Sequence, residues 1–353
     1  LLDIIDRPSL FSDYAYFSST SPQLLTHFNN YAEEVYSKFS EQAKKLTVEI
    51  ASNDGILLKP LSKLGARVLG VDPAKNIAEI ATKEGVETLP EFFDREMANK
   101  INKNYGKAGV IIANNVLAHT DILHEIISGV FDLLDQDGVF VFEVQYLADL
   151  IKHNEFDNTY HEHICYFSLH PLKYLFEEHG MEIVHVSHVE TQGGSIRVYA
   201  MKKSFNGEVS LSVDEFLKNE IALGLNNKEI FIEFAKRPPI VKEKLNELLK
   251  KFKLEGKKVA CYGAPAKGNT LLQYVGVMSN DIAYVTDNAL SKQGKYTPGT
   301  HIPIVSPANL KVETPDYILI LAWNYADSII EREKWFTDQG GKFIIPVPEP
   351  RLV

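Results

Sequence analysis

The sequence predicts an α/β protein: two open, doubly wound sheets with helices on both faces, the second smaller than the first and joined to it by a helical connector. Three observations predict it. Short apolar runs alternate with helix-length amphipathic stretches between residues 47 and 146, the signature of β-α-β units and a parallel sheet. The first run, Val48-Glu49-Ile50, passes through small and turn-forming residues, Ala51-Ser52-Asn53-Asp54-Gly55, straight into Ile56-Leu57-Leu58. The same punctuation returns at Lys258–Gly263, with Ala264–Thr270 as the turn and an apolar helix from Leu271.

Length and composition bound the reading. The 353 residues suit two domains, and a 45% apolar fraction suits a globular chain with a substantial core. The net charge of −10, with no basic run, argues against nucleic acid as a partner. No apolar run reaches the ~20 residues of a membrane span, so no membrane partner is expected. With no signal peptide and only Cys165 and Cys261, no disulfide framework is expected, and a reducing, cytoplasmic setting fits. A monomer and a homodimer are equally compatible with this composition.

Residues 1–46 form an opening segment. Tyr14 and Tyr16 lie in an aromatic, hydroxyl-rich stretch, either packed on the helix that follows or serving as a lid. Thr20 or Ser21 caps that helix, Pro22 opens its first turn, and Leu24, Leu25, Phe28, Tyr31 and Val35 form its apolar stripe. Residues 47–202 form the first α/β domain. Its strands fit 47–51, 67–71, 109–113 and 138–144, and its helices fit 56–64, 74–84, 91–103 and 121–134. The loops after strand ends form the site in such a sheet. Those loops carry Asp72-Pro73, and then Asn114, Asn115 and His119.

Asp72 ends the second strand, where an open α/β sheet grips a ribose diol. The first turn decides which nucleoside. A dinucleotide needs G-x-G-x-x-G for its pyrophosphate. This turn has one glycine, and acidic residues at both ends, Glu49 and Asp54. Carboxylates repel a pyrophosphate and suit a cation. S-adenosylmethionine carries a sulfonium and an amino group and no phosphate. The stretch therefore resembles motif I of a class I methyltransferase, and a nicotinamide oxidoreductase is disfavoured.

A dense polar and aromatic cluster follows at Phe156–Ser168, with Tyr160, His161, Glu162 and His163 at its centre. His161 and His163 share a face on a strand, but the other ligands and the H-E-x-x-H helical spacing are missing, so no metal is expected. A Tyr-Glu-His set lets one residue orient and tune another for proton transfer. A helix fits 171–179, and strands fit 182–190 and 195–202, joined at Gln192-Gly193-Gly194. Residues 203–256 read as a solvated helical connector, and 257–353 as the second α/β domain, with strands at 282–286, 316–322 and 342–347. The loop 263–270 exposes backbone N–H groups at a helix start and adds Lys267, which suits a phosphate. Asp287 stands where a second ribose-binding acid belongs.

Taken together, these pieces resemble the nucleotide-sugar C-methyltransferase family, whose members act on keto-deoxysugars. They are Tyr14-Ala-Tyr-Phe-Ser-Ser, Glu49-Ile-Ala-Ser-Asn-Asp-Gly, Asn115-Val-Leu-Ala-His119, Tyr160-His-Glu-His163 with Tyr166-Phe-Ser, Gln192-Gly-Gly-Ser-Ile-Arg197, Tyr262-Gly-Ala-Pro-Ala-Lys-Gly-Asn-Thr270, and Ile345-Pro-Val-Pro-Glu349-Pro. They occur in the family's order across essentially the whole chain. The resemblance implies a class I methyltransferase core, a C-terminal Rossmann-like domain and a substrate that is a 4-keto-6-deoxyhexose on a nucleoside diphosphate. It also implies α-proton abstraction, an enolate and transfer of a methyl group from S-adenosylmethionine. His163 is then the expected base. Glu162 and Tyr160 orient it or stabilise the enolate oxygen, and His119 is a second acid/base or enolate donor.

Glu49, Ala51, Ser52, Asn53, Asp54, Gly55, Asp72, Pro73, Asn114 and Asn115, with Tyr14 and Tyr16, are expected to surround the cofactor. Arg197 and Ser195, with Gly263, Lys267, Asn269 and Asp287, are expected to hold the nucleotide sugar. Relatives usually begin with a four-cysteine zinc module; the sequence shows none of it, so no structural zinc is expected. An O- or N-methyltransferase, and an S-adenosylmethionine-binding scaffold with a vestigial centre, are the alternatives.

Overall fold

The computed structural model describes residues 4–12, 19, 22–205 and 207–353; Tyr14 and Tyr16 lie outside them. The chain divides into two compact units. One runs through residue 147 and takes up 161–223, and the other joins 148–160 to 224–353.

The first unit holds a seven-stranded sheet. Its strands are β1 (Thr47–Ile50), β2 (Val68–Val71), β3 (Thr88–Leu89), β4 (Ala108–Asn114), β5 (Leu134–Gln145), β6 (Met181–Val189) and β7 (Ser195–Lys202). They lie in the order β3-β2-β1-β4-β5-β7-β6. β1 to β5 are parallel, and β7 runs antiparallel between β5 and β6. β1 and β4 are buried almost throughout because both of their faces are covered. Val110 and Ile112 of β4, with Val139 and Val141 of β5, meet one layer of helices. Side chains two apart share a face, so these four form one surface. The helix Pro22–Lys45 lays Leu24, Phe28, Tyr31, Ala32 and Val35 on that layer. It is longer than the sequence predicts and breaks at Phe39, whose φ of −135° is not helical.

Gly70 on β2 shows how tightly the site loop is seated. A Cβ there would lie 2.5 Å from Ser52 Oγ and 2.6 Å from Thr88 Oγ1, so the loop after β1 can rest on β2 only over glycine.

The second unit holds β8 (Val259–Tyr262), β9 (Val285–Thr286), β10 (Ile304–Val305), β11 (Tyr317–Ile320), β12 (Lys342–Ile345) and β13 (Arg351–Leu352), in the order β10-β9-β8-β11-β12-β13. Only β13 is antiparallel to its neighbour. β3, β10 and β13, two residues each, are too short to stand out in a sequence pattern. The helix after β8 starts at Ala266, not Leu271: Pro265 is extended and frees the backbone to turn there.

The connector reading of 203–256 needs correction. Helix Leu211–Leu223 falls in the first unit, while helix Arg237–Leu254 buries Val241, Leu245, Leu249 and Phe252 in the core of the second. Spacings of four, four and three residues place them on one stripe. The lysines and glutamates between them gave that helix its solvated look. Among the described residues, no helix is long and apolar enough to cross a membrane.

Candidate active site

The order of the first sheet reverses beside β1, which has β2 on one side and β4 on the other. A crevice outside the strand ends at such a point is where open α/β sheets bind ligands. Ala51 (φ 52°), Asn53 (φ 48°) and Asn115 (φ 54°) are non-glycine residues held in the left-handed region there, a strain that clusters at functional sites. Asp72 locks the loop: its Oδ2 accepts the Asn53 N–H at 2.9 Å and its Oδ1 accepts the Ala74 N–H at 2.9 Å, with Pro73 between. Asn114 Nδ2 donates to Glu49 Oε1 at 3.3 Å, and the Asn115 N–H donates to the Glu143 carbonyl at 2.9 Å.

Three carboxylates are buried here, with Glu49 3%, Asp54 2% and Asp72 5% exposed. Burial pushes the Glu49 carboxyl well above its ordinary pKa, and Asp72 and Asp54 add repulsion. Burial likewise raises Asp72. Glu49 Oε2, Ser52 Oγ, Asp54 Oδ1 and Asn114 Oδ1 are buried without a hydrogen-bond partner among the described residues. Orphaned acceptors beside crowded carboxylates fit a ligand that brings hydroxyl donors and positive charge. The ribose, amino group and sulfonium of S-adenosylmethionine are such a set.

β4 leads to the second part of the site. After it, Leu117–His119 makes one 3₁₀ turn, and the Ala118 carbonyl accepts the N–H groups of Ile164 (2.8 Å) and Cys165 (3.2 Å). That docking draws His163 onto His119. Their rings stack at 5.1 Å and 28°, Phe11 covers His119 at 5.7 Å, and Tyr166 meets His163 edge-on. Burial lowers the pKa of His119 to about 3, with His163 adding to the shift. His119 is therefore a neutral imidazole at physiological pH, able to donate from one nitrogen. Glu162 is half-buried and His161 exposed; Tyr160, half-buried, belongs to the second unit.

Arg197 sits where the sequence did not anticipate. Its Nε and Nη2 donate to Glu143 Oε1 at 2.8 and 2.6 Å, its Nη1 pairs with Glu34, and the guanidinium covers the Tyr31 ring at 3.5 Å. Glu143 also meets His27 Nε2 at 2.9 Å, and Tyr199 Oη donates to Glu34 at 2.7 Å. With its donors on these carboxylates, Arg197 ties the helix Pro22–Lys45 to β5 and β7, whereas the sequence placed it on the nucleotide sugar. Ser195, fully buried, donates to the Thr191 carbonyl at 3.1 Å. A glutamate inside the apolar run Val139–Val144 was the sequence signal for this network, and it was missed.

The second unit repeats the first crevice's wiring. Asp287 Oδ2 accepts the Ala264 N–H at 2.7 Å and its Oδ1 the Ala289 N–H at 2.8 Å, the pattern of Asp72. Gly263 (φ 82°) turns the chain after β8, where a Cβ would lie 2.9 Å from that of Ala322. The charge differs from the first crevice. Lys292 donates to the Ala264 carbonyl at 2.9 Å and stands 3.4 Å from Asp287. Asn269 is half-buried on the following helix. Lys267 is 7% exposed, with its ammonium 3.7 Å from the centre of the Trp323 ring and two carboxylates, Asp157 and Glu155, acting on it. Those neighbours repel a phosphate, which argues against the phosphate contact that the sequence assigns to Lys267. Among the described residues, no group of three or more His, Cys, Asp and Glu is arranged to hold a metal ion.

Comparison with known proteins gives this geometry its context. Residues 25–186 match the methyltransferase domain family, and residues 190–348 match the C-methyltransferase C-terminal domain family. The chain is 40% identical over 353 residues to the C-methyltransferase NovU of Streptomyces niveus, covering 100% of this chain and 84% of that one. Among solved structures, magnesium protoporphyrin IX methyltransferase of Synechocystis PCC 6803 with bound SAH is 16% identical at a TM-score of 0.40, over 50% of this chain and 83% of that chain.

Proposed function

The chain belongs to the C-methyltransferase family and takes its methyl group from S-adenosylmethionine, and from that premise we propose that it methylates the carbon beside the ketone of a nucleoside-diphosphate-linked 4-keto-6-deoxysugar. The observation that carries this reading is the His119–His163 stack on the loop after β4, the strand whose end also brings Asn114 to Glu49.

S-adenosylmethionine, when bound, supplies an electrophilic methyl on a cationic sulfur. Glu49 and Asp54 hold its charged amino-acid end. Asp72 takes the ribose diol, because each of its oxygens accepts one backbone N–H and keeps a lone pair for a hydroxyl. His163 removes the proton from the carbon beside the ketone and becomes imidazolium; the C–H electron pair moves into the enolate. Neutral His119, with Tyr160, donates to the enolate oxygen, where charge develops. Glu162 orients His163. In the second unit, Asp287 takes the nucleotide's ribose, and Lys292 with the N–H groups of Ala266 and Lys267, at the start of the helix, takes its phosphates.

Isotope exchange tests the reading. With S-adenosylhomocysteine in place of the methyl donor, the protein in deuterated water should exchange the α-proton of a nucleotide-linked 4-keto-6-deoxyhexose, seen by NMR. Absence of exchange, with methylation found on oxygen or nitrogen, overturns it. Asp72→Ala isolates the cofactor site. Losing charge-assisted hydrogen bonds should weaken cofactor binding about 10- to 100-fold by calorimetry. Turnover at saturating cofactor should hold within about twofold, since Asp72 binds donor and transition state alike.

A further inference from the structure

The reading above leaves a buried charge cluster of the second unit without a task. Lys267, Asp157 and Glu155 are all more than nine-tenths buried. Trp323 Nε1 donates to Asp157 Oδ2 at 2.7 Å, and Asn158 Nδ2 donates to Glu155 Oε2 at 2.8 Å. Asp157 Oδ1 and Glu155 Oε1 have no hydrogen-bond donor among the described residues, and His153 Nδ1 stands 3.4 Å from the latter. Lys267 rests its charge on the Trp323 ring.

Burial of such a set is costly. A methionine or leucine in place of Lys267, with neutral partners, would fill the space at lower cost. Burial pulls Lys267 down to about 8 and pushes Asp157 up to about 6, each offsetting part of the other's shift. What the charges do accomplish is local. Asp157 and Glu155 sit on and beside the 3₁₀ turn Phe156–Asn158, whose Phe156 is in the core and whose backbone closes through the Thr159 N–H to the Phe156 carbonyl at 3.1 Å. Tyr160 follows that turn directly. Lys267 stands in the first turn of the helix after Gly263, beside the loop assigned to phosphates.

We propose that Lys267 is a positioning residue: its ammonium packs on the Trp323 ring whose Nε1 holds Asp157, and through that contact it fixes the turn that carries Tyr160. For its effect on turnover this rests on the role given to Tyr160 above; the tether itself does not. A nucleotide held by loop 263–269 then shares a mount with Tyr160, within the second unit.

The experiment compares wild type with Lys267→Met in amide hydrogen exchange, with no substrate present, and in steady-state kinetics on a nucleotide-linked 4-keto-6-deoxyhexose. Amides of residues 157–160 should exchange about tenfold faster in the variant, while those of β1 and β4 keep their protection. kcat should fall about tenfold with the KM values for cofactor and sugar unchanged, because a misplaced donor costs transition-state and not ground-state binding. Unaltered exchange at 157–160 overturns the tether whatever the acceptor is, and faster exchange with undiminished kcat overturns its catalytic use. If Lys267→Met fails to fold, Glu155→Gln/Asp157→Asn/Lys267→Met removes the unpaired charges together. It should melt no lower than wild type and still show the faster exchange and lower kcat; wild-type values of both overturn the proposal. A wild type inert toward the sugar sinks the substrate reading alone, and the exchange measurement still decides the tether.

Discussion

His163→Ala is expected to lower turnover on the order of 10²–10⁴-fold, the usual contribution of a positioned general base, with cofactor affinity unchanged. The geometry makes the expectation sharp. His163 stacks on His119, while the cofactor loop is held by hydrogen bonds of its own, from Asn53 and Ala74 to Asp72 and from Asn114 to Glu49. Loss of the side chain therefore removes chemistry and leaves the donor site standing. The pH dependence tests His119. Lowered to about 3, it stays neutral across the accessible range, so His119→Gln, which keeps a donor and loses the imidazole, should leave the shape of the rate profile between about pH 5 and 8 unchanged. Unchanged turnover in His163→Ala, with α-proton exchange intact, removes His163 from the mechanism.

What the sequence made legible follows from how local each signal was. The loop after β1 could be read because its composition, one turn-forming stretch with two acids, is itself the site; the orphaned oxygens of Glu49, Ser52 and Asp54 are the structural form of that composition. Asp72 and Asp287 were readable by position at strand ends, and both lock their loops with the same two backbone hydrogen bonds. Partners were not readable. Lys267 and Arg197 look alike in sequence, as cations beside glycines. Burial and neighbouring carboxylates that lie 110 and 54 positions away decide that each serves an internal charge set. The amphipathic pattern of Arg237–Leu254 is also two-valued: a stripe of four apolar residues fits a core helix as well as a surface one. Residues 148–160 sit between two halves of the methyltransferase sequence and fold with the C-terminal unit, because Phe156 finds its core there.

Arg197→Ala should destabilise the first unit by about 3–5 kcal/mol, the cost of leaving a buried carboxylate without its partner. Glu143 is 1% exposed, and among the described residues Arg197 supplies its carboxylate with two of three hydrogen bonds and His27 with the third. The guanidinium also covers Tyr31, so a packed cation–π contact worth roughly 0.5–2 kcal/mol goes with it. For a unit of this size each kcal/mol lowers the melting temperature by roughly 2–4 °C, which calorimetry resolves easily. Arg197→Met/Glu143→Leu removes both charges and should recover most of the loss, while Arg197→Lys, a point charge in place of a planar fork, should recover little. Because the network joins the helix Pro22–Lys45 to β5 and β7, the single variant should also loosen that helix in hydrogen exchange before the sheet. A loss below about 1 kcal/mol would be the value of a surface pair and would mean that water reaches Glu143 in solution.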